Sequence, residues 1–263
     1  PLIRFFNHRT TYIVNMAGLE GSRSKWGTFA RWYLKFNEMI AAKYSHKLIC
    51  DNEGLKDYIN DSYDVASELI PYGGDQILNA KKNKSVFKQY DLPEEFDFAM
   101  ARAQIDNNME CILDAYVKSR QELVFVSNWK SSKYGQEILR KYRDVPNLKL
   151  IGPIYDVGKI KALYSRTRVY IHGHSAGGTN PVLVESMWAK LPVLAFDVTF
   201  NRYTTHNQAF YFKDSQDLAD LSRSITNDSF KRCAESLFQV ANEFYRWKHI
   251  QSCYESVILN EAR

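Results

Sequence analysis

From residue 96 onward, short apolar runs alternate with longer polar stretches in which apolar residues recur every three or four positions. The runs at 96–101, 123–126, 148–151, 169–172, 193–196 and 209–212 predict strands. The stretches at 108–119, 134–142, 157–165 and 181–190 predict helices between them. Strands alternating with helices form βαβ units, so the expected fold class is α/β: a doubly wound parallel sheet covered on both faces, over residues 95–245. Upstream, 11–15, 47–50 and 68–70 predict three more strands, joined by a helix beginning near Trp26 and a shorter one near 55–59. Three strands are too few for a second complete unit, so 1–75 reads as an incomplete one.

Pro71-Tyr72-Gly73-Gly74-Asp75 stands between the two parts, and a glycine pair beside a proline is turn chemistry, so Tyr72, Gly73, Gly74 and Asp75 form the expected hinge. Residues 76–94, lysine-rich at 81–88, are expected to be a linker, and 246–263 a final helix. Trp26, Phe29, Tyr33, Phe36 and Ile40 fall at helical spacing and predict a core-facing stripe. Between Glu20 and Lys47, however, six basic residues (Arg23, Lys25, Arg31, Lys35, Lys43 and Lys47) meet two acids, with aromatics interleaved. That pattern supports a second reading of the 23–47 helix, contact with an anionic membrane surface.

At 263 residues with 45% apolar side chains, the chain can bury a sizeable core. It contains no run of eighteen apolar residues and no leader pattern, so a soluble cytoplasmic protein is expected, at most peripheral at the inner face of the plasma membrane. It begins Pro1-Leu2-Ile3-Arg4 without a methionine, which reads as a fragment. Cys50, Cys111, Cys233 and Cys253 lie far apart with no CxxC pair, so free thiols are expected rather than a disulfide or zinc. The net charge of +5 is modest and lysines are interleaved with acids, which argues against a nucleic-acid partner.

The densest chemistry lies in YIHGHSAGGTNPVLVE, Tyr170 to Glu185. The glycines fit neither GxGxxG nor GxxxxGK followed by Ser or Thr. His172 and His174 fall on one face of a strand, but the segment offers no third ligand, so no metal is expected. Gly177 and Gly178 let backbone approach a ligand. Thr179 or Asn180 can cap the following helix, Pro181 suits its first turn, and the helix N-terminus favours an anion. Glu185, one turn inside that helix, can accept hydrogen bonds from sugar hydroxyls. Phosphate with ribose means a nucleotide; the plainer reading is a strand-to-helix turn with an exposed Glu185. Arg102 stands at the carboxyl end of the first strand of the sheet, where ligands bind in open α/β folds, and can pair with a diphosphate; Asn107 and Asn108 cap the next helix and can face the same crevice.

These residues resemble the GT-B glycosyltransferases of family 4, in particular the bacterial rhamnosyltransferase-like branch of capsule and O-antigen assembly. The resemblance is carried by Tyr170 through Pro181 with Glu185-Ser186-Met187, by Ala195-Phe196-Asp197-Val198 with Asn201-Arg202, and by Ile70 through Asp75. It also includes Gly18-Leu19-Glu20 with Arg23, Lys25 and Trp26, and Trp247, Ile250 and Tyr254 near the end. It implies two Rossmann-like domains facing a cleft, the N-terminal one incomplete here, with the last helix returning to it. By the same resemblance Arg102, Asn107 and Gly177, Gly178, Thr179 and Asn180 hold the donor diphosphate, Glu185 the ribose, and the loop with Ile154 and Tyr155 the base. No cofactor or metal is implied. A sugar, rhamnose or another hexose, passes with retention from a dTDP-, UDP- or GDP-linked donor to a lipid-linked oligosaccharide. The glutamate that most members carry eight residues before Glu185 is replaced by Gly177, leaving His172 and His174 as candidates for the donor sugar and the catalytic role unassigned. Ala17, Gly21 and Ser22 depart from the branch's pattern on the acceptor side. Other readings are a nucleotide-sugar-binding remnant without turnover and a nucleotide-sugar epimerase of the same fold; for the latter the sequence shows no convincing acid and base pair.

Overall fold

The computed structural model describes residues 10–23 and 26–261; Lys25 and the first residues, Pro1 to Arg4 included, lie outside the described residues. Two parallel sheets organise the chain. The smaller has the order β1-β2-β3, with β1 (Ile13–Met16), α1 (Thr28–Tyr44), β2 (Lys47–Cys50), α2 (Glu53–Tyr63) and β3 (Glu68–Leu69) in sequence. Then come α3 (Ser85–Tyr90), β4 (Phe96–Met100), α4 (Met109–Ser119), β5 (Leu123–Val126), α5 (Lys133–Tyr142), β6 (Leu148–Ile151), α6 (Val157–Tyr164), β7 (Thr167–His172), α7 (Pro181–Trp188), β8 (Val193–Phe196), α8 (Thr199–Thr204), β9 (Phe210–Phe212), α9 (Ser215–Ser224) and α10 (Asn227–Phe244). The larger sheet they form has the order β6-β5-β4-β7-β8-β9, every neighbour parallel.

The apolar runs are continuous because both faces of this sheet are covered. Phe98, Val124, Tyr170 and Val193 face α6, α7 and α10, where Leu163, Leu183, Met187 and Leu237 complete one core. Their neighbours Ala99, Phe125, Ile171 and Leu194 face α4, α5 and α9 with Ile112, Tyr116, Ile138 and Leu218, the period-two alternation of a strand. Chain order reverses between β4 and β7: β5 and β6 extend the sheet to one side, β7 to the other. A crevice opens at the carboxyl ends of strands at such a switch point.

The last helix, α11 (Trp247–Glu261), lies on the smaller sheet. Ile250 and Val257 pack with Ile49 and Ile70, and Tyr254 Oη accepts a 2.8 Å hydrogen bond from Asn15 Nδ2. The opposite face of that sheet is closed by Ala42, Leu55 and Ile59 against Leu48 and Cys50.

Two stretches differ from their sequence reading. Residues 76–94 are more than a linker: they hold a 3-10 turn (Asp75–Asn79) and α3, and Ile77, Val86, Phe87 and Leu92 enter the core of the larger sheet. Polar and lysine-rich spacing hid four anchoring side chains. In α1 the aromatic stripe is helical but not core-facing: Phe29 is 79% exposed, Trp32 61% and Tyr33 55%, with Phe36 exposed as well, and Trp26, ahead of the helix, is also exposed. Trp32 and Phe36 stack at 5.9 Å between centroids, and burial is left to Ile40, Ala42 and Glu38. Glu38 is held by Tyr58 and Tyr63 hydroxyls of α2 at 2.9 and 2.7 Å. Periodicity reports which residues share a face, not what that face meets.

At the amino end of β4, away from the crevice, Asp97 is buried and accepts hydrogen bonds from Arg168 at 2.8 and 2.6 Å and from Tyr116 Oη at 2.6 Å. Burial raises its pKa and Arg168 opposes the rise. Asp97→Ala leaves Arg168 a half-buried cation without its partner and is expected to cost about 3–5 kcal/mol of unfolding free energy, measured by chemical denaturation.

Candidate functional site

The loops leaving β4 and β7 are stitched to each other. Asn107 Nδ2 donates to the Arg102 carbonyl at 2.8 Å, its Oδ1 lies 2.9 Å from His174 Nδ1, and Asn108 Nδ2 donates to the Gly173 carbonyl at 2.9 Å. The Ser175 amide donates to the Asp106 carbonyl at 2.8 Å. Beyond His174 the chain turns through Gly177 and Gly178, with φ of 69° and 72°, the left-handed region in which a side chain is strained. The turn also lies too close to the smaller sheet for one. A Cβ on Gly177 would sit 3.0 Å from the Leu19 amide, and one on Gly178 2.9 Å from the Ala17 carbonyl and 3.0 Å from Asp51 Oδ2. Asn180 then caps α7, its side chain accepting from the Val182 amide at 3.0 Å, with Pro181 in the first turn.

This turn closes a cavity of about 310 Å³ at the switch point, lined by Arg102, Asn107, His174, Gly177, Thr179, Asn180, Pro181 and Val182 from the larger sheet and by Ala17, Arg23, Asp51 and Tyr72 from the smaller part. Its charges differ in availability. Arg23 is buried and held by Glu20 at 2.9 Å and Asp106 at 3.0 Å. Arg102 is exposed, and among the described residues its guanidinium has no hydrogen-bond or ion-pair partner. His174 is buried, which lowers its pKa, and its Nδ1 and Nε2 lie 2.9 Å from Asn107 Oδ1 and 3.3 Å from the Gly177 carbonyl.

The remaining residues singled out from the sequence lie elsewhere. His172 is in the core of the larger sheet, not in the cavity; its Nδ1 meets Tyr170 Oη at 3.4 Å, its Nε2 has no partner, and burial depresses its pKa to about 3. One strand position separates it from His174, yet β7 ends between them, so only His174 emerges into the loop. Ile154 is a core residue and Tyr155 is 84% exposed; neither lines the cavity. Glu185 is partly buried one turn beyond Pro181 and Val182 and outside the lining, where Oε1 accepts from Gln76 Nε2 at 2.6 Å. Gln76 Oε1 in turn accepts from Trp247 Nε1 at 2.6 Å, and burial raises the Glu185 pKa. In the expected hinge, Tyr72 lines the cavity, a Cβ on Gly73 would come within 2.6 Å of Trp247 and one on Gly74 within 2.8 Å of Val184 and 2.9 Å of Trp188, and Asp75 accepts from the Trp247 amide at 2.9 Å. The glycines there serve close approach rather than a left-handed turn.

Sequence reasoning missed Asp51 and Asn52, which close β2. Asn52 caps α2 through Gly54 and donates to the Phe200 carbonyl and Thr204 Oγ1, each at 3.1 Å, and to Thr179 Oγ1 at 3.4 Å. The Thr179 hydroxyl donates to the Asp51 carbonyl. These bonds join the two sheets across the cavity floor. Asp51 is 1% exposed, and among the described residues no side chain donates a hydrogen bond to either carboxylate oxygen. Burial pushes its pKa up to about 7, with the Thr179 and Asp51 backbone amides partly opposing. A carboxylate at the carboxyl end of a parallel strand was a legible signal; its burial by a loop more than a hundred residues away was not.

The sequence profile of a domain of unknown function, DUF1972, matches residues 6–75. No curated protein sequence matches the chain. Among solved structures, a sucrose-phosphate synthase from Thermosynechococcus elongatus superposes with a TM-score of 0.77 at 16% identity, over 95% of this chain and 68% of that one. Anabaena HepE, in complex with UDP and glucose, gives 0.77 at 15% identity, over 97% and 73%. The pneumococcal O-GlcNAc transferase GtfA, in complex with UDP and GlcNAc, gives 0.69 at 13% identity, over 98% and 54%. The fold is GT-B. The cavity at the switch point of the larger sheet is therefore the cleft of a GT-B fold, with the Gly177-Gly178 turn as its floor.

Two outcomes test the geometry. Gly178→Ala combines a strained φ with a Cβ 2.9 Å from the Ala17 carbonyl, just past β1, and is expected to lower stability by roughly 1–3 kcal/mol, read by denaturation. Asp51→Asn is expected to stabilise. Because the folded pKa is raised, protonation supports the fold fully below about pH 4, and this support is lost as pH rises through about 7. The variant's gain, on the order of 1–4 kcal/mol at pH 7.5, should shrink toward zero at pH 4 in a pH series of melting curves.

Proposed function

We propose that the chain carries the donor-binding machinery of a nucleotide-sugar-dependent glycosyltransferase. The observation that supports this reading is the free Arg102 guanidinium facing, across one cavity, the glycine turn and the capped start of α7. Pro181 has no N–H and the Val182 amide is already taken by Asn180, so attraction for a diphosphate comes from Arg102 and the positive end of the helix rather than from a row of free amides. Glu185 takes the ribose by exchanging its Gln76 partner for sugar hydroxyls. The loop of Ile154 and Tyr155 that follows β6 meets the base, largely through its backbone. The sugar is rhamnose or another hexose, carried by dTDP, UDP or GDP and transferred with retention and without a metal; the acceptor is a lipid-linked glycan. With Arg102 holding the departing diphosphate, catalysis is chiefly positioning and charge stabilisation. His174, lining the cavity, is placed to meet the donor sugar.

The exposed face of α1 suits the lipid-linked acceptor: Phe29, Trp32 and Phe36 stand among Arg31 and Lys35, an arrangement that seats aromatics at the lipid interface and cations at anionic headgroups. Among the described residues no helix is long and apolar enough to cross a membrane, so contact would be through this face.

Arg102→Ala should weaken nucleoside diphosphate binding at least about tenfold, and Glu185→Gln by roughly 1–3 kcal/mol, both read by calorimetry with UDP, GDP and dTDP. Unchanged affinity for all three in both variants would remove the reading. Co-sedimentation with vesicles should rise with anionic lipid and fall with salt; equal recovery with neutral and anionic vesicles would leave α1 without a membrane role.

A further inference from the structure

Diphosphate, ribose and base leave one charged group of the cleft without a task. Asp51 lines the cavity of about 310 Å³ and, with Thr179, also a second cavity of about 400 Å³ formed with Arg202, His206, Tyr245 and His249. The side chains of Thr179, Asn52 and Arg23 beside it are committed elsewhere, and the backbone amides of Thr179 and Asp51 oppose only part of the rise in its pKa. The Thr179 hydroxyl bonds the Asp51 backbone carbonyl, the Asn52 amide bonds Phe200 and Thr204, and Arg23 bonds Glu20 and Asp106. Asp97, equally buried, shows how this fold treats a structural carboxylate: three donors close upon it. Among the described residues no side chain donates to Asp51, and a buried carboxylate so poorly supplied is costly unless something else brings donors.

The chemistry of the missing donors is constrained. A carboxylate repels phosphate, and the two arginines lining the same cavity disfavour a cationic ligand. Neutral hydroxyls fit, since an ionised carboxylate accepts several at once. The geometry points to Asp51 as the residue that takes the hydroxyl groups of a sugar ring seated at the seam between the two sheets, beside the diphosphate. This assignment rests on the nucleotide-sugar reading. The ring arrives either as the hexose of the donor or as a separate acceptor sugar, and both present the same hydroxyl chemistry.

The test compares the whole 263-residue chain with Asp51→Asn and Asp51→Leu by calorimetry. In one arm UDP, GDP and dTDP are set against UDP-glucose, GDP-mannose and dTDP-glucose. In the other, methyl glucoside is titrated in the presence of each nucleoside diphosphate. Both variants are expected to fold, with melting temperatures at or above that of the wild type, and to bind the bare diphosphates within about twofold of it. The affinity gained from the sugar should fall in the order Asp51, Asn, Leu, by at least about tenfold for Leu. Loss in the first arm assigns the donor hexose, loss in the second alone an acceptor sugar. Equal sugar-dependent gains in all three proteins, or none in the wild type, overturns the assignment while diphosphate binding keeps the functional reading. A wild-type chain that binds no nucleoside diphosphate overturns both.

Discussion

The cleft depends on one close approach. The turn at Gly177 and Gly178 lies directly on the backbone of Ala17 to Leu19 and against Asp51, an arrangement open only to residues without a Cβ and with left-handed φ. Once there, the Thr179 hydroxyl reaches the Asp51 carbonyl, and Asn52 reaches Thr179, Thr204 and the Phe200 carbonyl. The two sheets are thus joined at the floor of the cavity by neutral hydrogen bonds to backbone and hydroxyl groups, which leaves the charged groups of its walls available for other work.

That division of labour is visible in the acidic and basic residues. Arg168 and Asp97 neutralise each other at the far end of the larger sheet, and Arg23 is held by Glu20 and Asp106. Among the described residues Arg102 and Asp51 are left without a side-chain partner for their charge at the cleft, one exposed and the other buried. A cation free to meet phosphate and a carboxylate free to meet hydroxyls, in one cavity, complement the two chemical halves of a nucleotide sugar. Strain and unsatisfied polarity gather where a ligand would relieve them.

Glu185 makes a related point about linkage to the chain's end. Its partner Gln76 is bonded to Trp247, and Asp75 holds the Trp247 amide, so the residue read as a ribose ligand is wired to the start of α11, which covers the smaller sheet. A change in the bonding of Glu185 would therefore reach the other sheet through two side chains.

The sequence by itself determined the six strands of the larger sheet and α4 to α7 to within two residues, because continuous apolar runs are the mark of strands buried on both faces, while α8, α9 and α10 went unread. It also determined the turn and cap at Gly177 to Pro181, whose residue types follow from local backbone geometry. Tertiary structure alone decided what each face met. The aromatic stripe of α1 kept its period and faced outward; four apolar side chains turned a polar connection into part of the core; and β7 ended between two histidines, burying His172 and admitting His174 to the cleft. Asp51 gained its character from Gly178, 127 residues away in the chain. Local propensity is read over a few residues, whereas burial, and with it the cost of a charge, is set by segments the chain brings together only on folding.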